Sequence, residues 1–246
     1  MDRIKNIDYC IRYLMEQDGV STPVPDTLSE KQMLLRTLMN VWEPQPLSTE
    51  FIEAQNAELQ AQLVDKGIVE NVGNLWQGDI TRLKVDAIVN AANSQGLGCW
   101  HPLHSCIDNA IHSAAGLQLR QACNDILQGS LISTGDAIIT PGYNLPAQWV
   151  LHTVGPIVVT PQPTYEQERQ LAECYHSCLQ LAESHGCRSI AFCCISTGEY
   201  HFPNLRAAQI AVEACHNTQL NVVFNVFKNN DYAIYSELLG TPRVIA

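Results

Sequence analysis

Residues 86–116 read DAIVNAANSQGLGCWHPLHSCIDNAIHSAAG, and the rest of the chain takes its sense from this stretch. Ala87-Ile88-Val89 is an unbroken apolar run of the kind a buried strand requires. Ile107, Ile111, Ala114 and Ala115 recur at three- and four-residue steps, which predicts a helix with one apolar face. Between them lies a glycine-containing loop carrying Cys99, His101, His104 and Cys106. A strand, such a loop and a helix N-terminus form a phosphate-binding arrangement, because unpaired backbone N–H groups converge there. The cysteines and histidines add soft donors for a metal ion.

Downstream, strands and helices alternate. Strands are expected at Val72–Trp76, Ala87–Val89, Ala137–Ile139, Trp149–Thr153, Ser189–Ile195 and Val222–Phe227. Helices are expected at about Cys106–Leu127, Thr164–His185, Pro203–Asn217 and Tyr232–Leu239. That alternation predicts an α/β layered domain around a largely buried sheet.

Upstream, residues 1–70 have a different texture and read as a helical extension, leaving 71–246 as the α/β domain. Ile4, Ile7, Cys10, Ile11 and Leu14 mark one amphipathic helix, which Pro23 and Pro25 prevent from continuing. Ser29-Glu30-Lys31-Gln32 matches a capping box ahead of Leu34, Leu35, Leu38 and Val41. Ser48 or Thr49 caps a third helix, to about Val64.

The chain carries 14 basic and 25 acidic residues, a formal charge of −11. Such a surface disfavours nucleic acid and anionic membranes. It also predicts that any phosphate site relies on backbone N–H groups rather than on Lys or Arg. No apolar run approaches the ~20 residues that span a bilayer, and the N-terminus lacks the apolar core of a signal peptide. The expected compartment is the cytoplasm, where the ten cysteines stay reduced. Cys193-Cys194, in an apolar strand, is expected to pack.

Asn90-Ala91-Ala92-Asn93 and the pattern Ile107-Asp108-x-x-Ile111-His112-x-x-Ala115-Gly116 resemble the signature of macrodomains, the ADP-ribose-binding modules. The insertion from Gly98 to Cys106 resembles the zinc-dependent macrodomains of bacteria, which remove ADP-ribose from proteins. The resemblance runs from about Asn71 to the C-terminus, with a family-like helical extension before it. It implies a three-layer α/β/α macrodomain with a mixed central sheet.

The resemblance also assigns residues. Asp79, beside Ile80 at the end of the first strand, would read the adenine amine; an ordinary turn Asp is its other explanation, and the Asn90-Ala91-Ala92-Asn93 that follows the next strand favours the first. Asn93 would hold the distal ribose and Asn90 would support its loop; either could serve a turn alone. Spacing does not choose between His101 and His104, whereas the family pattern Cys-x4-His-x-Cys selects Cys99, His104 and Cys106 for Zn2+. Asp108 would act with Asn93 in catalysis, and helix-dipole stabilisation is its other explanation. His112 is expected to be structural. Ser196-Thr197-Gly198-Glu199-Tyr200 resembles the second phosphate loop, and Phe227 would lie against adenine or in the core. The implied activity is hydrolysis of ADP-ribose from mono-ADP-ribosylated protein; the competing reading is a module that binds ADP-ribose without cleaving it. Implied partners are a lipoyl carrier related to glycine-cleavage H protein and a macrodomain-linked sirtuin.

Overall fold

Three helices come first: α1 (Arg3–Gln17), α2 (Leu28–Asn40) and α3 (Thr49–Lys66). The computed structural model describes residues 3–240; Met1, Asp2 and residues 241–246, at the outer ends of the two expected domain ranges, lie outside the described residues. Ile7, Cys10, Ile11 and Leu14 form the fully buried stripe of α1. The cap of α2 is Thr27, not Ser29. Its Oγ accepts from the Glu30 backbone N–H at 3.3 Å and donates to the Glu30 carboxylate at 2.6 Å, so the capping pattern sits two residues earlier than expected. Ser48 caps α3 by accepting from Phe51 N. The helices enclose a cluster of their own with Leu35, Leu38, Met39, Trp42, Phe51 and Leu59, which Leu117 joins from beyond them.

The sheet follows: β1 (Leu75–Gln77), β2 (Ala87–Ala91), β3 (Ala137–Pro141), β4 (Trp149–Thr153), β5 (Ser189–Phe192) and β6 (Asn221–Val226). Its order is β1-β6-β5-β2-β4-β3, parallel throughout except for the antiparallel β3–β4 pair at one edge. It is the mixed sheet expected, flanked by α4 (Ile107–Ala115), α5 (Leu117–Leu127), α6 (Tyr165–Ser184), α7 (Asn204–Ala214) and α8 (Asn229–Leu238). Ile88, Val89, Val150, Leu151, Ile190 and Ala191 are fully buried, as strands covered on both faces must be.

Several expected boundaries move. The helix over Cys106–Leu127 is two helices, because Gly116 takes φ +97° and turns the chain. The strand expected to reach Ile195 ends at Phe192, after which the chain bends into a loop. The first strand starts three residues later and ends one later than expected, and α8 starts at Asn229 rather than Tyr232. Among the described residues, no helix is long and apolar enough to cross a membrane.

Candidate active site

The carboxyl ends of the parallel strands all open on one side, where α/β sheets place their ligand crevices. Gly78-Asp79 leaves β1, Ala92-Asn93 leaves β2, Gly155 follows β4, Ser196 follows β5 and Phe227 follows β6; these loops converge with α2 and α3 on one cleft of about 1050 Å³. Ile80, Thr197, Gly198, Glu199 and Tyr200 line the same cleft.

At one end, Asp79 Oδ1 accepts from Thr81 N at 3.0 Å and Thr81 Oγ1 at 2.6 Å, which fixes the carboxylate over a short helical turn. Its Oδ2 stands 3.5 Å from Lys66 Nζ of α3. Phe227 is 76% exposed, so the core role left open for it is excluded and its ring is free at the cleft.

In the middle, the β5 loop turns sharply. Ser196 takes φ +64°, a conformation that costs a non-glycine residue of order 1 kcal/mol or more. Gly155 permits this approach, since a Cβ there would stand 1.9 Å from Ser196 Oγ. Thr197 Oγ1 is spent on Cys194 O at 3.0 Å, and Tyr200 O is held by Val158 N at 2.8 Å.

At the other end lies the metal-ligand candidate. One donor atom each from Cys99, His104 and Cys106 falls within 4.8 Å of the others, with Cys99 Sγ 3.6 Å from His104 Nδ1. Zinc bond lengths of about 2.3 Å to sulfur and about 2.05 Å to nitrogen give a tetrahedral S···N edge of about 3.6 Å, so the donor set fits that ion. His101 is exposed and its ring is not among these clustered donors. His104 Nε2 faces Glu199 at 3.8 Å, so a carboxylate stands behind the ring nitrogen that Cys99 does not face. Cys106 is also the N-cap of α4, accepting from Asn109 N at 3.4 Å. Burial pushes its thiol up to about 12, against the pull of the Asn109 N–H and with a further push from Cys99. A bound cation reverses that preference, because a coordinating thiol is deprotonated.

Beside the cysteines, Asp108 is buried in the first turn of α4. Burial raises its carboxyl to about 6, although the hydrogen bond from Asn90 and the charge of Arg120 oppose the shift. Asn93 Nδ2 reaches Asp108 Oδ2 at 3.4 Å and Gly98 O at 3.1 Å, while its Oδ1 accepts from Gln95 N. Asn90 does not line the cleft. It is fully buried behind Asp108, donating to Asp108 Oδ1 at 2.7 Å and approaching His152 Nδ1 at 3.1 Å. Its place is support of the carboxylate rather than ligand contact. His112 is buried, as expected for a structural residue, and its ring fills the space that a Cβ on Gly98 would enter, 2.8 Å away. Burial holds His112 well below the usual histidine range and His152 down to about 3, so both are neutral.

Sequence reasoning missed Arg36, Asn40, Asn109, Arg120 and His152. The available signal was Asn40, a polar residue on the apolar stripe of α2.

This cleft, at the carboxyl edge of a mixed, mostly parallel sheet, lies where α/β modules of this kind place their ligand sites. A family model described as Macro domain matches residues 89–211, and the chain belongs to that family. Over 258 residues it is 48% identical to a protein-ADP-ribose hydrolase of Treponema medium, covering 97% of this chain and 98% of that one. Among solved structures, the Oceanobacillus iheyensis macrodomain with ADP is 39% identical, with a TM-score of 0.61, covering 69% of this chain and 93% of that one. A Trypanosoma brucei macrodomain in complex with ADP-ribose is 29% identical, with a TM-score of 0.59, covering 88% and 97%.

Proposed function

We propose that this protein hydrolyses the bond joining ADP-ribose to a protein side chain, with zinc held by Cys99, His104 and Cys106. The observation that carries the reading is the meeting of those three donors with Asn93 and Asp108 at one end of a nucleotide-sized cleft. The near full-length likeness to a relative named a protein-ADP-ribose hydrolase supports it. Asp79 accepts the adenine amine, and Phe227 lies against the base. Backbone N–H groups of the loops around Gly96–Gly98 and Ser196–Tyr200 hold the diphosphate, which spares an acidic protein the need for cations there.

Asn93 and Asp108 orient the distal ribose hydroxyls. Asp108, buried and perturbed, is suited to take and return a proton at the ribose end. Zinc, when bound, supplies a Lewis acid that polarises an oxygen or lowers the pKa of water to about 7. Family resemblance extends the reading to a glycine-cleavage H-like lipoyl carrier as the modified protein, a macrodomain-linked sirtuin as the enzyme that modifies it, and the cytoplasm as the site of action.

The test is release of free ADP-ribose from a mono-ADP-ribosylated protein, followed against zinc content. Cys99→Ala, His104→Ala and Cys106→Ala are expected to lose zinc and turnover together, and His101→Ala to retain both. Undiminished turnover by zinc-free Cys106→Ala would end the zinc mechanism. Tight ADP-ribose binding with no release from the wild type would leave a binding module.

A further inference from the structure

The loop that carries Cys99 and His104 is irregular and partly exposed, yet its backbone is held at four points, and each leads to α2. Arg36 Nη2 donates to His104 O at 3.0 Å. Leu103 N donates to Asn40 Oδ1 at 3.0 Å. His101 O accepts from Asn109 Nδ2 at 2.9 Å, and that amide also donates to Asn40 Oδ1 at 3.0 Å. Leu97 O accepts from Arg120 Nε at 2.6 Å, while Arg120 Nη1 holds the last two carbonyls of α2, Met39 O and Asn40 O, at 3.1 Å each, and Trp42 O just beyond the helix at 2.7 Å.

Arg36 and Asn40 are four residues apart, so they share one face of α2 and act on the same loop. Arg36 is tied twice: besides His104 O, its Nε and Nη2 donate to Asn109 Oδ1 at 3.1 and 2.6 Å. Asn109 in turn places its backbone N–H on Cys106 Sγ. One guanidinium thus links the peptide of one metal-ligand candidate to the residue that touches another. The planar fork of arginine makes this possible, and a lysine has no equivalent geometry.

We infer that Arg36 is a positioning residue for the metal-binding loop, with Asn40 beside it, so that the N-terminal helices complete the metal site. This rests on the zinc reading above. A loop whose donors are placed in advance loses less conformational freedom on closing round an ion than one that must order itself.

The experiment uses the full chain, stripped of metal and titrated with zinc against a chromogenic chelator, with no turnover required. Arg36→Met, which keeps the aliphatic stem and removes the donors, should weaken zinc binding by about 10- to 100-fold, the usual effect of removing support behind a ligand. Arg36→Lys should fall between Met and wild type, and Asn40→Ala should weaken binding in the same direction. Leu38→Ala, on the same helix but buried in the cluster of the N-terminal helices, should lower the melting temperature and keep wild-type zinc affinity. Wild-type affinity in both Arg36→Met and Asn40→Ala overturns the inference while leaving the zinc reading intact. An equal loss of affinity in Leu38→Ala also overturns it, because the effect would then run through general stability. A wild-type chain that takes up no zinc overturns the zinc reading and this inference together.

Discussion

Single side chains in this cleft have their orientations fixed before any ligand arrives, and that sets what their removal does. Asp79 spends one oxygen on Thr81 and keeps the other toward Lys66 and the cleft. Asp79→Ala should therefore weaken ADP-ribose binding by about 1.5–3 kcal/mol, the worth of a hydrogen bond to a charged group. Titration calorimetry reads this directly, and equal affinity in wild type and variant would remove Asp79 from the adenine site. The cysteines, Asn93 and Asp108, at the opposite end of the cleft, were singled out in sequence because each belongs to a short family pattern with fixed spacing, and the structure brings them together there. Asn90 was legible as important but not as buried: Asn serves as donor, acceptor or turn residue equally well, and only the packing of α4 on β2 places it behind Asp108.

At the scale of elements, the strands hold their starts as carefully as their ends. Asp86, just before β2, accepts from Arg188 N at 2.7 Å and Ser189 N at 3.0 Å, and its own N–H donates to Ser189 Oγ at 2.8 Å. Burial alone would raise its carboxyl, but the hydrogen bonds from Arg188 and Ser189 outweigh it and hold the group below its usual range. A depressed folded-state pKa gives stability that is present above the unfolded value of about 3.9 and lost as pH falls through the folded one. Asp86→Ala should cost about 1–3 kcal/mol in urea denaturation near neutral pH, and less near pH 3. A cost that does not shrink in acid would mean the carboxylate is not the agent. Strand and helix existence was legible from periodicity, but ends were not. Gly116, Thr27 and the bend after Phe192 move boundaries through backbone angles and caps that hydrophobic spacing does not encode.

For the molecule as a whole, the polar groups buried behind the cleft set its response to acid. His112 and His152 are held neutral, so their folded-state pKa values lie below the unfolded value of about 6.5. Their contribution is complete above that pH and is lost as pH falls below it, because the unfolded chain then binds protons that the folded one does not. Asp108 acts oppositely: its carboxyl is raised, so between about 6 and about 4 the folded state binds its proton more readily and is favoured by acid. Two buried imidazoles oppose one buried carboxyl, so the net expectation is a loss of stability as pH falls below about 6, read from denaturation midpoints. His152→Gln should flatten the slope, and an unchanged slope would show that other groups govern it.

The sheet order has a further result, in time rather than in space. Trp76 pairs with Asn225, and Gly78 N donates to Val226 O, so β1 cannot dock until β6 exists. Closing a loop of that length costs about 4 kcal/mol of chain entropy before any contact repays it. Folding of this chain should accordingly be slow for its size, as non-local parallel pairing dictates. On the ribosome, residues 3–66 can collapse on their own cluster early, while Asp79 and Phe227 meet only after nearly all the described chain has been synthesised. The nascent protein therefore has α2 and its neighbours in hand long before the β1 and β6 ends of its cleft come together.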